Sequence, residues 1–142
     1  MAIITHVIDS QQGEYSWGRK DCLTTASQVL RARGESAPDY SSWHSMSEAK
    51  AIQLAVKKFG NLYRAHIHTF KSVGLLKKDR NFPMTGDILI LGGVVIDRSS
   101  ESSWDTEKKC ELLGFVVECG EVWSWFKFGL VPVEYHIIKG II

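Results

Sequence analysis

The residue types that could do chemistry together fall in one stretch, Tyr15-Ser16-Trp17-Gly18-Arg19-Lys20-Asp21-Cys22-Leu23-Thr24-Thr25. An aspartate stands directly before a cysteine, where an amphipathic pattern begins. Asp21 is a good N-cap, because its carboxylate can accept the unpaired backbone N–H groups of a first helical turn. Cys22 then becomes the first helical residue. Its thiol sits at the positive end of the helix dipole, with Arg19 and Lys20 close in sequence. Each of these features favours thiolate, the nucleophilic form, over thiol. The chemistry on offer is nucleophilic catalysis through sulfur, and Cys22 is expected to be the most acidic of the three thiols. Gly18 lets the backbone approach such a site closely, and Trp17 can wall one side of it. The plainer alternative is a cysteine acting as a small hydrophobe on the inner face of a helix that Asp21 merely caps. The basic and aromatic neighbours weigh toward a site, or the remains of one.

Other candidates carry less. His66-x-His68 could present two metal ligands on one side of a strand, but no cysteine or carboxylate cluster nearby completes a set. His6 and His44 fall in a terminal segment and a loop, and His136 lies within an apolar pattern near the C-terminus. Cys110 and Cys119 bracket an apolar stretch that would hold them too far apart for a disulfide. Trp123 and Trp125 alternate with Ser124, which puts both indoles on one face of a strand and Phe126 and Phe128 on the other. An exposed pair of tryptophans could bind a carbohydrate or a protein partner. No glycine-rich phosphate loop or dinucleotide fingerprint is present. Basic residues are not clustered with interleaved aromatics in the way a nucleic-acid groove requires.

The elements that must position Asp21 and Cys22 follow from pattern. Residues 22–33 carry Cys22, Ala26, Val29 and Leu30 at helical spacing, and Gly34 ends the helix. Ser45-Met46-Ser47-Glu48 reads as a capping box ahead of a second helix with Ile52, Ala55, Val56 and Phe59 on one face. Residues 62–73 mix both periodicities and are taken as a shorter third helix. Residues 1–8 are apolar and β-branched, suited to an extended segment or a helical turn at the edge of the core. After Gly86-Asp87 the pattern changes to strands. Ile88-Leu89-Ile90-Leu91 and Val94-Val95-Ile96 flank Gly92-Gly93 and predict a tight hairpin. Residues 98–109 are polar and read as a loop. Strands are expected over 112–117, 122–128 and 130–138. Helices first and an antiparallel sheet second define an α+β fold. At 142 residues, with 44% hydrophobic and 23% charged, residues 1–142 read as a single domain with a core of its own. A net charge of +1 gives no global attraction to nucleic acid or anionic membrane. Three cysteines at wide spacing do not make a disulfide framework. No stretch approaches membrane-spanning length, and the apolar run at residues 2–8 is too short for a signal peptide and lacks a basic start. The expected place of synthesis is the cytoplasm.

Trp17-Gly18-Arg19-Lys20-Asp21-Cys22 at the start of the first long helix resembles the nucleophile segment of NlpC-like cell-wall peptidases. Gly86-Asp87-Ile88-Leu89-Ile90-Leu91 resembles the strand that opens their sheet, and Leu112-Leu113-Gly114-Phe115-Val116-Val117 their second strand. The pattern is most similar to a small phage-encoded branch and runs from about Trp17 to the C-terminus. The resemblance implies a papain-like NlpC-type core, with N-terminal helices packed on a C-terminal antiparallel sheet. It implies no cofactor and no metal. Cys22 would be the nucleophile, with Trp17, Gly18 and Asp21 lining the site. Active members place a histidine two residues before the glycine of the second strand, where this chain has Leu112, which can neither take nor give a proton. A substitute base would come from elsewhere. Sequential strand pairing lays the last strand beside the one carrying Leu112 and points to His136. The expected function is a phage virion or tail-assembly protein with weak or no catalytic activity, its partners other virion proteins or peptidoglycan, made in the host cytoplasm. The alternative is a cysteine-nucleophile amide hydrolase, a peptidoglycan endopeptidase using Cys22.

Overall fold

The computed structural model describes residues 2–100, 102–105 and 111–142. Among these residues five helices precede five strands: α1 (Ile3–Ser10), α2 (Cys22–Ala32), α3 (Ser41–His44), α4 (Glu48–Phe59), α5 (Leu62–Lys71), then β1 (Ile88–Asp97), β2 (Ser103–Asp105), β3 (Leu112–Val116), β4 (Val122–Phe126) and β5 (Gly129–Ile141). The mixed helix-plus-antiparallel-sheet class is as expected. Cys110 and residues 106–109 of the polar stretch lie outside the described residues, and part of the expected loop before them is β2.

The helix starts show how local sequence sets the elements. Asp21, Ser47 and Asn61 each turn a side-chain oxygen onto the first turn of α2, α4 and α5, accepting from the backbone N–H of Thr24, Lys50 and Arg64 respectively. Ser45 does not form the expected capping box. It ends α3, and its hydroxyl donates to the Ser42 carbonyl at 2.7 Å. The β-branched run at the N-terminus resolves as the helix α1. Ile4, Val7 and Ile8 make one buried face, at the i, i+3, i+4 spacing a helix requires. Its own N-cap, Ala2, supplies no side-chain bond. The carboxylate of Glu118, from the turn after β3, accepts instead from Ile4 N (3.0 Å), Thr5 N (2.7 Å) and Thr5 Oγ1 (2.8 Å).

All strand pairings are antiparallel. β1 pairs with β3 and β2 along one edge and with β5 along the other, and β4 joins β3 to β5, so that β1, β3, β4 and β5 close into a ring. The predicted Gly92-Gly93 hairpin is not formed. Residues 88–97 run as one strand, and the glycines mark an irregularity in its register with β5. Gly93 does adopt a positive φ, +70°, but as a bulge inside a strand. The physical reason is β5, which pairs with β1 on both sides of the glycines, from Leu89 to Gly92 and from Val95 to Asp97, and so holds the segment extended.

Side-chain alternation divides the core. Ile88, Ile90, Leu113, Phe115, Trp125 and Leu130 face the helices and pack with Ile8, Ala26, Val29 and Leu30. Leu89, Leu91, Leu112, Val116, Val122 and Phe126 pack on the opposite face. Gly114 sits where a Cβ would meet Val122 Cγ1 at 2.7 Å, so the close approach of β3, β4 and β1 there requires glycine. The Asp87 carboxylate of the Gly-Asp motif accepts from Met84 N and both terminal nitrogens of Arg80, which anchors the loop that enters β1. Among the described residues, no helix is long and apolar enough to cross a membrane.

Candidate functional site

Residues 15–21 form a tight loop that delivers Cys22 to the tip of α2. Ser16 and Lys20 exchange both backbone hydrogen bonds, at 3.0 and 2.8 Å, and Gly18 turns the chain between them with φ +92°. Asp21 is fully buried. Its Oδ1 accepts from Thr24 N at 2.7 Å, and its Oδ2 from Gly18 N at 2.6 Å. A third donor comes from His44, whose Nε2 lies 2.9 Å from Oδ2. Trp17 meets the His44 ring edge-on, with centroids 4.8 Å apart, and its indole N–H donates to the Met46 carbonyl at 3.0 Å. Trp17, Gly18 and Asp21, all expected to line the site, are thus brought together around His44. The Lys20 ammonium donates to the Gln12 carbonyl, past the C-terminal end of α1. The reason is proximity, since α1 ends on carbonyls that a cation can satisfy.

Cys22 is half-buried and borders a cavity of about 150 Å³. Tyr40, Trp43, His66, Leu112 and Trp125 contribute to its lining. The position to which the resemblance assigns a histidine, Leu112, is also among the lining residues, while its side chain packs in the apolar cluster on the sheet face away from the helices. His66 is the imidazole of this lining. Burial pushes its pKa down to about 4, a shift that Glu111 opposes in part, so the ring is neutral at pH 7. The Tyr40 hydroxyl is raised well above the ordinary tyrosine value, first by burial and then by the neighbouring Cys22 and Asp21 charges.

His136 stands exposed on β5, beside the irregular pairing with β1, and outside the lining of this cavity. The adjacency that pointed to it is not made. Among the described residues β5 pairs with β4 and β1, while β3 lies between β1 and β4, because the long last strand reaches across to close the ring. His66 and His68 fall on the helix α5 rather than a strand. His66 is buried, and His68 packs on Phe59 with centroids 4.7 Å apart. Among the described residues no group of three or more histidines, cysteines and carboxylates is placed to hold a metal ion. The tryptophan pair does share a face, but it is not an exposed patch. Trp125 is buried, and its indole N–H donates to Thr25 Oγ1 at 2.8 Å. That hydroxyl shares its proton between the Asp21 carbonyl and Gln11 Oε1, at 2.8 and 3.0 Å. Trp125 thus locks β4 to the first turn of α2.

Sequence reasoning did not place His44, His66 or Tyr40 beside Cys22. His44 follows Asp21 by 23 residues, and nothing in that spacing marks the pair. His66 and Tyr40 acquire their character only through burial.

Compared with protein-family models, with curated proteins and with solved structures, the chain has no match.

Proposed function

We propose that the chain is a papain-like, NlpC-type module of a phage virion or tail-assembly apparatus, in which the site at Cys22 has weak or no hydrolytic activity. The observation that carries this reading is Leu112. Leu112, at the position where a general base would stand in an active relative, is among the residues lining the cavity that Cys22 borders, and it has no group that can carry a proton. Amide hydrolysis by a thiol needs a proton delivered to the leaving amine, and a positioned imidazole normally supplies it. Its loss is typically worth about 10²–10⁴ in rate. His66, held neutral by burial, is a poor proton donor at pH 7. The phage setting is supported by the motif resemblance.

A second reading, a peptidoglycan endopeptidase using Cys22, is favoured by the Asp21–His44 pair. The Asp21 carboxylate, on the residue before the thiol, holds the His44 imidazole, and an imidazole held by a carboxylate is one part of what a base for that thiol needs. The test is hydrolysis of peptidoglycan fragments by wild type, Cys22→Ala, His44→Ala and His136→Ala. The expected result is turnover near the uncatalysed level in all four. Robust turnover that disappears with Cys22→Ala overturns the first reading. The two histidine variants then tell which imidazole is the base.

A further inference from the structure

The part of the cavity wall built by α5 carries a buried polar group that the fold does not use. Leu62, His66 and Thr69 stand at i, i+4 and i+7, on one face of that helix, and all three line the cavity. From α4 come Ala51 and Ala55, whose short side chains leave the space open. His66 is 9% exposed. Among the described residues neither of its ring nitrogens has a hydrogen-bond partner, and, unlike the Tyr40 hydroxyl, neither is sealed from a solvent-sized molecule. Native structures pair nearly all polar groups buried this deeply.

The other polar groups of the lining narrow what can pair with His66. Its neutral ring carries one N–H donor and one acceptor nitrogen. Thr69, three residues on, gives its proton to the Ala65 carbonyl at 2.7 Å and keeps only acceptor capacity. Ser124 is fully buried, and its hydroxyl donates to the Leu113 carbonyl at 2.8 Å. Cys22 brings a thiol, a weak hydrogen-bonding group. The charges balance: Glu111 pairs with Lys139 at 3.2 Å, and Lys127 acts on Glu48. A neutral occupant is therefore favoured. A donor at His66 and an acceptor at Thr69 are matched together by one hydroxyl, which accepts from the first and donates to the second. Much of the remaining wall is hydrocarbon and aromatic ring, including Leu23, Ile52, Leu113 and Trp125. The volume, about 150 Å³, is of the size at which an apolar cavity holds a benzene ring.

We propose that the cavity binds a small neutral alcohol, its apolar body about one six-membered ring in size and its hydroxyl bridging His66 and Thr69. The site stands whether or not Cys22 turns over a substrate, so its test is separate from the hydrolysis assay. Wild type and Thr69→Val, with nitrogen-15 in their histidines, are titrated with benzyl alcohol and with toluene. The readout is NMR of the histidine ring nitrogens, the His66 signals being those that His66→Gln lacks. Wild type binds both molecules saturably, and benzyl alcohol moves the His66 ring nitrogens further than toluene does. Thr69→Val weakens benzyl alcohol by about 2- to 10-fold, the worth of one net hydrogen bond, and leaves toluene unchanged. Absence of saturable benzyl alcohol binding means that the cavity takes water only and overturns the proposal. So does binding in which the two molecules move the His66 nitrogens equally, or in which Thr69→Val affects both molecules alike. Should Thr69→Val fail to fold, the His66 nitrogens of wild type decide alone.

Discussion

At Asp21 one buried carboxylate serves three donors: the N–H groups of Gly18 and Thr24, and the imidazole of His44. It caps α2, closes the preceding loop and fixes the His44 ring against Trp17. Losing an N-cap alone costs about 0.5–2 kcal/mol, and Asp21→Ala also leaves His44 without this partner. We expect a loss of about 2 kcal/mol, read as a lower urea midpoint with an unchanged slope. An unchanged midpoint would remove Asp21 from its structural role. The cap was legible in the sequence, because capping operates within three residues. The His44 share was not, because it depends on how the chain returns through α3. Cys22 starts the helix as expected.

Helix α1 and the turn after β3 depend on each other. The N-terminus of α1 lacks a cap of its own, and Glu118, more than a hundred residues away, provides one. Desolvation draws the Glu118 pKa up, but the Thr5 and Ile4 N–H groups and the Thr5 hydroxyl outweigh it and hold the carboxyl below its ordinary range. The sign follows from that depression. The stabilisation is complete above the ordinary value of 4.5 and is lost as the pH falls through the lower folded-state value. Glu118→Gln should cost about 0.3–1 kcal/mol at pH 7, the usual size of an exposed charge at a helix terminus. The gap from wild type should shrink toward pH 3. Equal urea midpoints at pH 7 would show that the contact contributes nothing. Gly92-Gly93 teaches a related lesson. The dipeptide signals positive φ correctly, but whether it folds back as a hairpin or bulges within a strand depends on the partner across the sheet, here β5.

The packing of the whole molecule around His66 gives a prediction about acid stability. The folded protein holds this imidazole neutral down to about pH 4, whereas an exposed histidine titrates at 6.5. Below 6.5 the unfolded chain binds a proton that the folded chain does not. The stabilisation is therefore complete above pH 6.5 and is lost as the pH falls toward 4. The gap corresponds to about 3 kcal/mol. Urea unfolding of wild type and His66→Gln from pH 7.5 to 4 should show wild type losing that much more stability than the variant. Parallel curves would mean that His66 is solvated in the folded state.

What neighbours in the chain can enforce could be read along it: where helices begin and end, the order of helices before strands, and the placement of Cys22 behind its cap. Capping, periodicity and turn chemistry act over a few residues, so they leave local traces. The rest depends on how distant segments meet. The ring closes because β5 reaches β1, which separates His136 from the strand that carries Leu112. The cavity exists because α2, α4, α5 and the strands stop short of filling the space between them. The states of Tyr40 and His66 come from that enclosure. Burial is a property of distant surfaces meeting, and no spacing of residues along the chain encodes it.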